Sequence, residues 1–213
     1  MKFEFGYDPF HIIIRDVFTK KENEEILNEA IKNKKKFEPA IIGKGKDKEF
    51  RDNLVAYYDV IYQNDRTFSK LLTKIDELFA TDQFKEILSS SPEPISRFDL
   101  SNYHETQVSR YGDEGQKYNY HIDAFSNENR QLTMVYYFHE EPKKYTGGEI
   151  TLTSSPIFRG KKMDNSKKET TIIPENNMAV IFGSRVAHCV NPTKSLKTFN
   201  KGRFSVNCWI GRK

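Results

Sequence analysis

The sequence predicts a mainly β, α+β protein: a jelly-roll core backed by supporting N-terminal helices. Three observations carry this prediction. After Pro92 the chain breaks into short runs of β-branched and aromatic residues separated by turn residues, the pattern of a sandwich or barrel. Before Pro92, apolar residues recur at helical spacing. Aromatic residues make up 13% of the chain, which favours sheet. A chain of 213 residues buries one substantial core without needing a second. The expectation is therefore a single domain over residues 1–213, with 1–95 a largely helical support and 96–213 the jelly-roll core.

The first helix starts at Thr19-Lys20-Lys21-Glu22, a capping-box pattern, and carries Ile26, Leu27, Ala30 and Ile31 on one stripe. The stretch "GKGKDKEFRDN", residues 43–53, mixes glycine with charge and has no period, so it reads as a mobile, solvated loop. A second stripe follows in Phe68, Leu71, Leu72, Ile75, Leu78 and Phe79, and resumes in Phe84, Ile87 and Leu88 after a break near Thr81. Expected strands are 106–111, 118–123, 131–139, 149–153, 170–173, 178–182, 186–190 and 203–210, about eight, a jelly-roll number. Residues 159–168 read as a polar excursion.

Composition excludes several function classes. Hydrophobic residues at 37% and charged residues at 30% describe a globular chain, neither disordered nor membrane-spanning. With 34 basic against 30 acidic residues the net charge is +4, and the two signs are interspersed, which argues against a nucleic-acid partner. The apolar run Phe10–Ile14 stops at Arg15 and Asp16, too short for a membrane span or an export signal. The expected location is the cytoplasm, with no membrane partner. Cys189 and Cys208 each sit in an apolar, strand-like stretch and are expected to stay reduced.

The chemistry is expected in "KYNYHIDAF", residues 117–125. In a strand, residues i and i+2 share a face, so His121 and Asp123 can converge on one point. A second histidine would complete the two-histidine, one-carboxylate set that holds non-haem iron(II) with three positions open. His188 in "FGSRVAHCVNP" is that candidate, since it follows a turn and opens another apolar strand. His11 and His104 lack an acidic partner at i±2, and His139 closes an apolar strand, so these three take structural or surface roles. A His-x-Asp pair alone is common by chance, and a strand histidine is usually just hydrogen-bonded within the fold. Its aromatic surroundings and an arginine on the last strand strengthen the metal reading.

That arginine is Arg203 in "KGRFSVNCWIGRK". Alternation puts Phe204, Val206, Cys208 and Ile210 on one face and Arg203, Ser205, Asn207 and Trp209 on the other. A guanidinium facing a metal needs an anionic partner, and its fork suits a carboxylate held by two hydrogen bonds. A small dicarboxylic acid would supply one.

The blocks "SRYGDEGQKYNYHID", "RQLTMVYYFHEEPKKYTGGEITL", "AVIFGSRVAHCV" and "GRFSVNCWI" together resemble the Fe(II)- and 2-oxoglutarate-dependent dioxygenases of the prolyl-hydroxylase-like branch, over residues 107–210. The resemblance implies a double-stranded β-helix core, His121, Asp123 and His188 as iron ligands, and Arg203 as anchor for the distal carboxylate of 2-oxoglutarate. It implies Tyr111 and Tyr137 as hydroxyl donors to that cosubstrate, although either could instead fill the core. It further implies O2 as oxidant, ascorbate as auxiliary reductant, and succinate and CO2 as coproducts. The related halogenases lack the carboxylate ligand, so Asp123 points to hydroxylation. Arg203 lies 15 positions after His188, farther than the family pattern, which leaves Lys201 and Arg185 as other cations for the role.

By the same resemblance the substrate is a prolyl residue of a protein or peptide, with a free amino acid or other small metabolite as the alternative. Loops 43–53 and 154–169 are expected to grip it. An oxidative nucleic-acid demethylase would use the same ligands but needs a second arginine close by on the closing strand, where only Arg212 follows, nine positions on. A non-catalytic jelly-roll binding module, with zinc held structurally, is the remaining reading.

Overall fold

The computed structural model describes residues 1–41, 45, 47–92, 103–125, 127–195 and 198–211, the side chains of Tyr103 and His104 excepted. Strands in the first half are β1 (Lys2–Gly6), β2 (His11–Arg15), β3 (Glu38–Pro39), β4 (Arg51–Asp52) and β5 (Leu54–Ala56). The next are β6 (Tyr103–Tyr111), β7 (Lys117–His121), β8 (Arg130–Phe138), β9 (Tyr145–Gly147), β10 (Ile150–Thr153), β11 (Ile157–Phe158) and β12 (Lys161–Lys162). The last are β13 (Glu169–Ile172), β14 (Met178–Gly183), β15 (Ala187–Val190), β16 (Thr193–Ser195) and β17 (Arg203–Gly211). Helices are α1 (Lys20–Lys32), α2 (Tyr58–Ile61), α3 (Lys70–Ala80) and α4 (Asp82–Ser89). None is long and apolar enough to cross a membrane.

Two sheets face each other, as in a jelly roll. The larger runs β1-β2-β14-β8-β17-β6-β5-β3 and the smaller β13-β10-β15-β7-β4. Period-two alternation sorts the larger sheet's side chains between two cores. Leu132, Met134, Tyr136, Phe138, Ala179, Ile181, Phe204, Val206, Cys208 and Ile210 point to the helices. Val135, Tyr137, Met178, Val180 and Phe182 point between the sheets, against Ile150, Leu152 and Ile172.

The eight expected strands occur at their expected places to within three residues, but the N-terminal segment holds five strands besides its helices. Strands β1 and β2 form a hairpin that extends the larger sheet past β14. The "HIII" run of β2 is buried on both faces, with Ile12 and Ile14 toward the helices and Ile13 between the sheets. Such a run has no visible period, which is why it does not read as a strand. In the second helical stretch Leu71, Leu72, Ile75, Leu78, Phe84, Ile87 and Leu88 are buried, while Phe68 precedes the helix and is 72% exposed. Thr81 makes the break, ending α3 in an extended conformation and capping α4 through its hydroxyl. Both cysteines are buried and free, and burial pushes the Cys208 thiol up to about 12.

The capping box forms as expected. The Glu22 carboxylate accepts from the Thr19 backbone and hydroxyl at 2.9 and 2.8 Å, and it pairs with Lys74 of α3 at 2.9 Å. The Lys74 contact first, then Thr19, holds the Glu22 carboxyl at about 2. A carboxyl depressed on folding stabilises above its unfolded pKa, and this contribution fades as pH falls toward the folded value. Glu22→Gln is expected to cost about 1 kcal/mol at pH 7, after allowance for solvent screening. For a chain of this size that is roughly 2–4 °C in Tm. Thermal melts should show the difference shrinking between pH 4.5 and pH 2.

Candidate metal centre

Strands β7 and β15 pair antiparallel in the smaller sheet, and their register sets His121 directly opposite His188. The two imidazole rings lie 4.1 Å apart between centroids. Each Nδ1–H donates to a carbonyl two residues back, His121 to Asn119 at 2.9 Å and His188 to Val186 at 3.0 Å. A carbonyl can only accept, so this bond fixes the tautomer and leaves Nε2 as a lone pair.

Asp123 does not share a strand with His121. Strand β7 ends at His121 and Asp123 opens a 3-10 turn, Asp123–Phe125, anchored by the Ala124 N–H on the Ser184 carbonyl at 3.0 Å. The turn swings the carboxylate to both histidines, with Oδ1 3.7 Å from His121 Nε2 and Oδ2 3.4 Å from His188 Nε2. Thr133 of β8 donates to Oδ2 at 2.7 Å, and its hydroxyl lies 3.0 Å from that of Ser184.

Among the described residues the one such cluster of potential metal ligands is His121, Asp123 and His188, with donor atoms all within 4.8 Å of one another. Burial first, then His188, drives the His121 imidazole down to about 3, so it stays neutral. Burial acts to raise Asp123, but His188, His121 and the Thr133 hydroxyl outweigh it and hold the carboxyl below its ordinary value. Two histidine Nε2 atoms and a carboxylate converging in a buried site fit a divalent cation. Neutral imidazole and carboxylate are the donors that non-haem ferrous iron takes. His11 and His139 are buried elsewhere, hydrogen-bonded to the carbonyls of Pro9 and Glu140. The His104 side chain lies outside the described residues.

The cluster opens into a cavity of about 1130 Å³ between the sheets, which also receives Arg203, Ser205, Asn207 and Trp209 from alternate positions of β17. The opposite row of that strand faces the helices, as its alternation requires. Arg203 is 1% exposed. It forms no ion pair among the described residues; Nη1 donates to Ser205 in a long 3.4 Å contact, and Nε has no partner among them. A buried guanidinium without a counter-charge is costly, so the site is built for an anion. Lys201 instead pairs with Glu140 at 2.7 Å and Arg185 is exposed. Arg212 lies outside the described residues.

Tyr111 is the cross-strand partner of Arg203, and Tyr137 faces Ser205 from β8. Their rings sit 4.9 and 4.7 Å from the guanidinium carbon. Burial raises both phenols, Tyr137 to about 12, although Arg203 pulls the other way. Both therefore stay protonated, as a hydrogen-bond donor must. Gly148, at φ +71°, leaves the space that Arg203 occupies: a Cβ there would meet Arg203 Cδ at 2.8 Å.

Sequence reasoning missed a polar row along the cavity floor. Arg203 donates to Ser205, Ser205 to Asn207, Asn207 to Ser109 and Ser109 to Gln107, at 3.2–3.4 Å. The row ends on Arg51, whose Nη2 donates to Gln107 at 2.9 Å and whose Nε donates to Asn53 at 2.8 Å. Arg51 belongs to the segment read as a solvated loop. It is held there by β4 pairing with β7, which places Arg51 opposite Tyr118. The excursion at 159–168 likewise contains structure, the β11–β12 hairpin, whose turn at Gly160 closes onto Phe50 and Asn119. Segments 43–53 and 154–169 thus meet at the cavity mouth, residues 43, 44 and 46 lying outside the described residues.

Comparison with known proteins agrees with this geometry. The model of the 2OG-Fe(II) oxygenase superfamily matches residues 106–211. A curated relative, an uncharacterized PKHD-type hydroxylase of Synechocystis, is 28% identical over 207 residues. That match covers 94% of this chain, which spans 62% of the relative's length. A Trichoplax adhaerens prolyl hydroxylase, solved with a hypoxia-inducible-factor peptide, superposes with a TM-score of 0.65 at 18% identity, covering 94% of this chain and 83% of that one. A Pseudomonas putida prolyl-4-hydroxylase gives 0.64 at 15% identity, covering 95% and 92%. At these identities the two structures speak for the shared jelly-roll fold alone.

Proposed function

Because the chain belongs to the 2OG-Fe(II) oxygenase superfamily, whose members use Fe(II), 2-oxoglutarate and O2, we propose that it hydroxylates an unactivated C–H bond in a prolyl residue of a protein or peptide. The observation that carries the reading is the meeting of two groups in one cavity. These are the His121, Asp123 and His188 donors and the buried Arg203, which has no ion-pair partner among the described residues. In this reading His121 and His188 bind iron through Nε2 and Asp123 supplies the single negative charge. When bound, iron with its keto-acid cosubstrate supplies the oxidising power for C–H cleavage.

The protein residues bind and orient. Arg203 takes the distal carboxylate of 2-oxoglutarate through its fork. Tyr111 and Tyr137, protonated beside it, donate to the cosubstrate's oxygens. Thr133 and Ser184 hold Asp123 in its rotamer. Phe182 packs edge-on against the His188 ring at 4.8 Å and Tyr118 stacks on His121 at 3.5 Å, which keeps water from the ligand side.

A peptide substrate is supported by the cavity mouth. Ile41, Tyr57, Val60, Phe125 and Phe158 line it and are each 49–86% exposed. Exposed apolar groups gathered in one place mark a recognition surface. The solved neighbours named as prolyl hydroxylases make proline the first choice of acceptor.

The test is to supply the full chain with Fe(II), 2-oxoglutarate and ascorbate in air and screen proline-containing peptides by mass spectrometry. A gain of one oxygen on a peptide, matched by succinate, is expected. Oxygen gained only by free amino acids or other metabolites would move the substrate class to small molecules. Conversion of a methylated nucleic acid would favour demethylation, and bound zinc with no cosubstrate consumed would favour a binding module.

A further inference from the structure

The geometry points to Arg51 as a second anion site in the cavity, one that receives a carboxylate of the substrate. This inference rests on the reading of the metal centre and cosubstrate pocket given above. Arg51 is 9% exposed, lines the same cavity as the metal cluster, and forms no ion pair among the described residues. Its hydrogen-bond partners are the neutral acceptors Gln107 and Asn53. Its guanidinium carbon lies 4.4 Å from the centroid of the Tyr118 ring, whose stacking on His121 ties the group to the metal side.

Neutral acceptors orient a guanidinium but do not compensate its charge, and a buried cation without a counter-charge is destabilising. The chain carries that cost at two points of one cavity, Arg203 and Arg51, joined by the row Ser205, Asn207, Ser109 and Gln107. Arg130, also in the cavity, is already paired with Glu105, and Arg159 is exposed. With Arg203 taken by the cosubstrate, Arg51 is the buried cation left for a second acid. The cavity exceeds the roughly 300–1000 Å³ usual for one small ligand. With Nε and Nη2 each engaged by one acceptor, further N–H donors remain for a carboxylate. A purely structural Arg51, clamping β4 to β7, would need no such donors.

The carboxylate can come from a free amino acid or from an acidic residue of a peptide, and matched probe pairs separate these sources. Zn(II)-loaded full chain, saturated with 2-oxoglutarate so that Arg203 is occupied, is titrated with each probe. The pairs are free amino acids and their amides, N-acetylproline and N-acetylprolinamide, and proline peptides carrying Asp or Asn. Dissociation constants are read from Trp209, the chain's single tryptophan, which lines the cavity.

At least one carboxylate is expected to bind about tenfold or more tightly than its amide, the worth of a charge-assisted hydrogen bond. Arg51→Gln should bring that ratio to about one, and Arg51→Lys, which keeps the charge without the fork, should leave it in between. Preference for the amino acids identifies a small acid, and preference for the Asp peptides a polypeptide. A structural role would weaken acid and amide alike. The inference is overturned if no carboxylate outbinds its amide, or if the ratio survives in Arg51→Gln. Failure of 2-oxoglutarate to bind the wild-type chain would show up earlier, and would instead overturn the reading on which the inference rests.

Discussion

Asp123→Ala is expected to abolish iron-dependent succinate formation and to weaken metal binding by more than 100-fold. Loss of a group that merely supports a metal ligand costs about 10–100-fold, and Asp123 is placed as a ligand itself, within 3.7 Å of both histidines. It is also the cluster's only negative charge. The variant should fold, because the remaining polar neighbours, Thr133 and Ser184, still satisfy each other at 3.0 Å. Asp123→Asn keeps the shape and the Thr133 contact while removing the charge, so it should fall between the two. Equilibrium dialysis with ferrous iron under anaerobic conditions measures the affinity, and a coupled assay measures succinate. Undiminished succinate from Asp123→Ala would count against the whole assignment.

Arg203→Met is expected to move affinity and stability in opposite directions. A bidentate, charge-assisted pair is worth about 3 kcal/mol, so 2-oxoglutarate binding should weaken about 100-fold or more. The unliganded chain should gain roughly 1 kcal/mol or more, because the substitution removes a buried cation that forms no ion pair among the described residues. That gain corresponds to about 2–4 °C in Tm at this size. Adding 2-oxoglutarate should stabilise the wild-type chain and not the variant. Arg203→Lys restores the charge without the planar fork and should recover only part of the affinity. A variant that is destabilised when unliganded, or that still binds cosubstrate normally, would show that Arg203 is a structural residue.

Much of this was legible in the sequence because β-structure writes its faces with a period of two. The alternation in "RFSVNCWI" separated the row Phe204, Val206, Cys208 and Ile210, which packs on the helices, from Arg203, Ser205, Asn207 and Trp209, which enter the cavity. The spacing of His121 and Asp123 flagged two residues that the structure does bring together, but through a turn rather than a shared strand face. Their partner His188 depends on a cross-strand register that no local pattern encodes.

Arg51 was hidden for the same kind of reason. Its neighbours Gly45, Lys48 and Glu49 look solvated, and its burial comes from Tyr118 and from Gln107, 56 positions away. The "HIII" strand was hidden by burial on both faces, which erases the period that marks a half-buried strand. What could be read was local geometry. What could not was register between distant segments, and it is register that assembles the site.

The central claim, that one ferrous ion and one molecule of 2-oxoglutarate share the cavity between His121, Asp123, His188 and Arg203, is tested most directly by anaerobic co-titration of both into the full chain. The account predicts one iron and one 2-oxoglutarate per chain, with iron binding lost in Asp123→Ala and cosubstrate binding lost in Arg203→Met. Stoichiometric binding that both variants retain would contradict it.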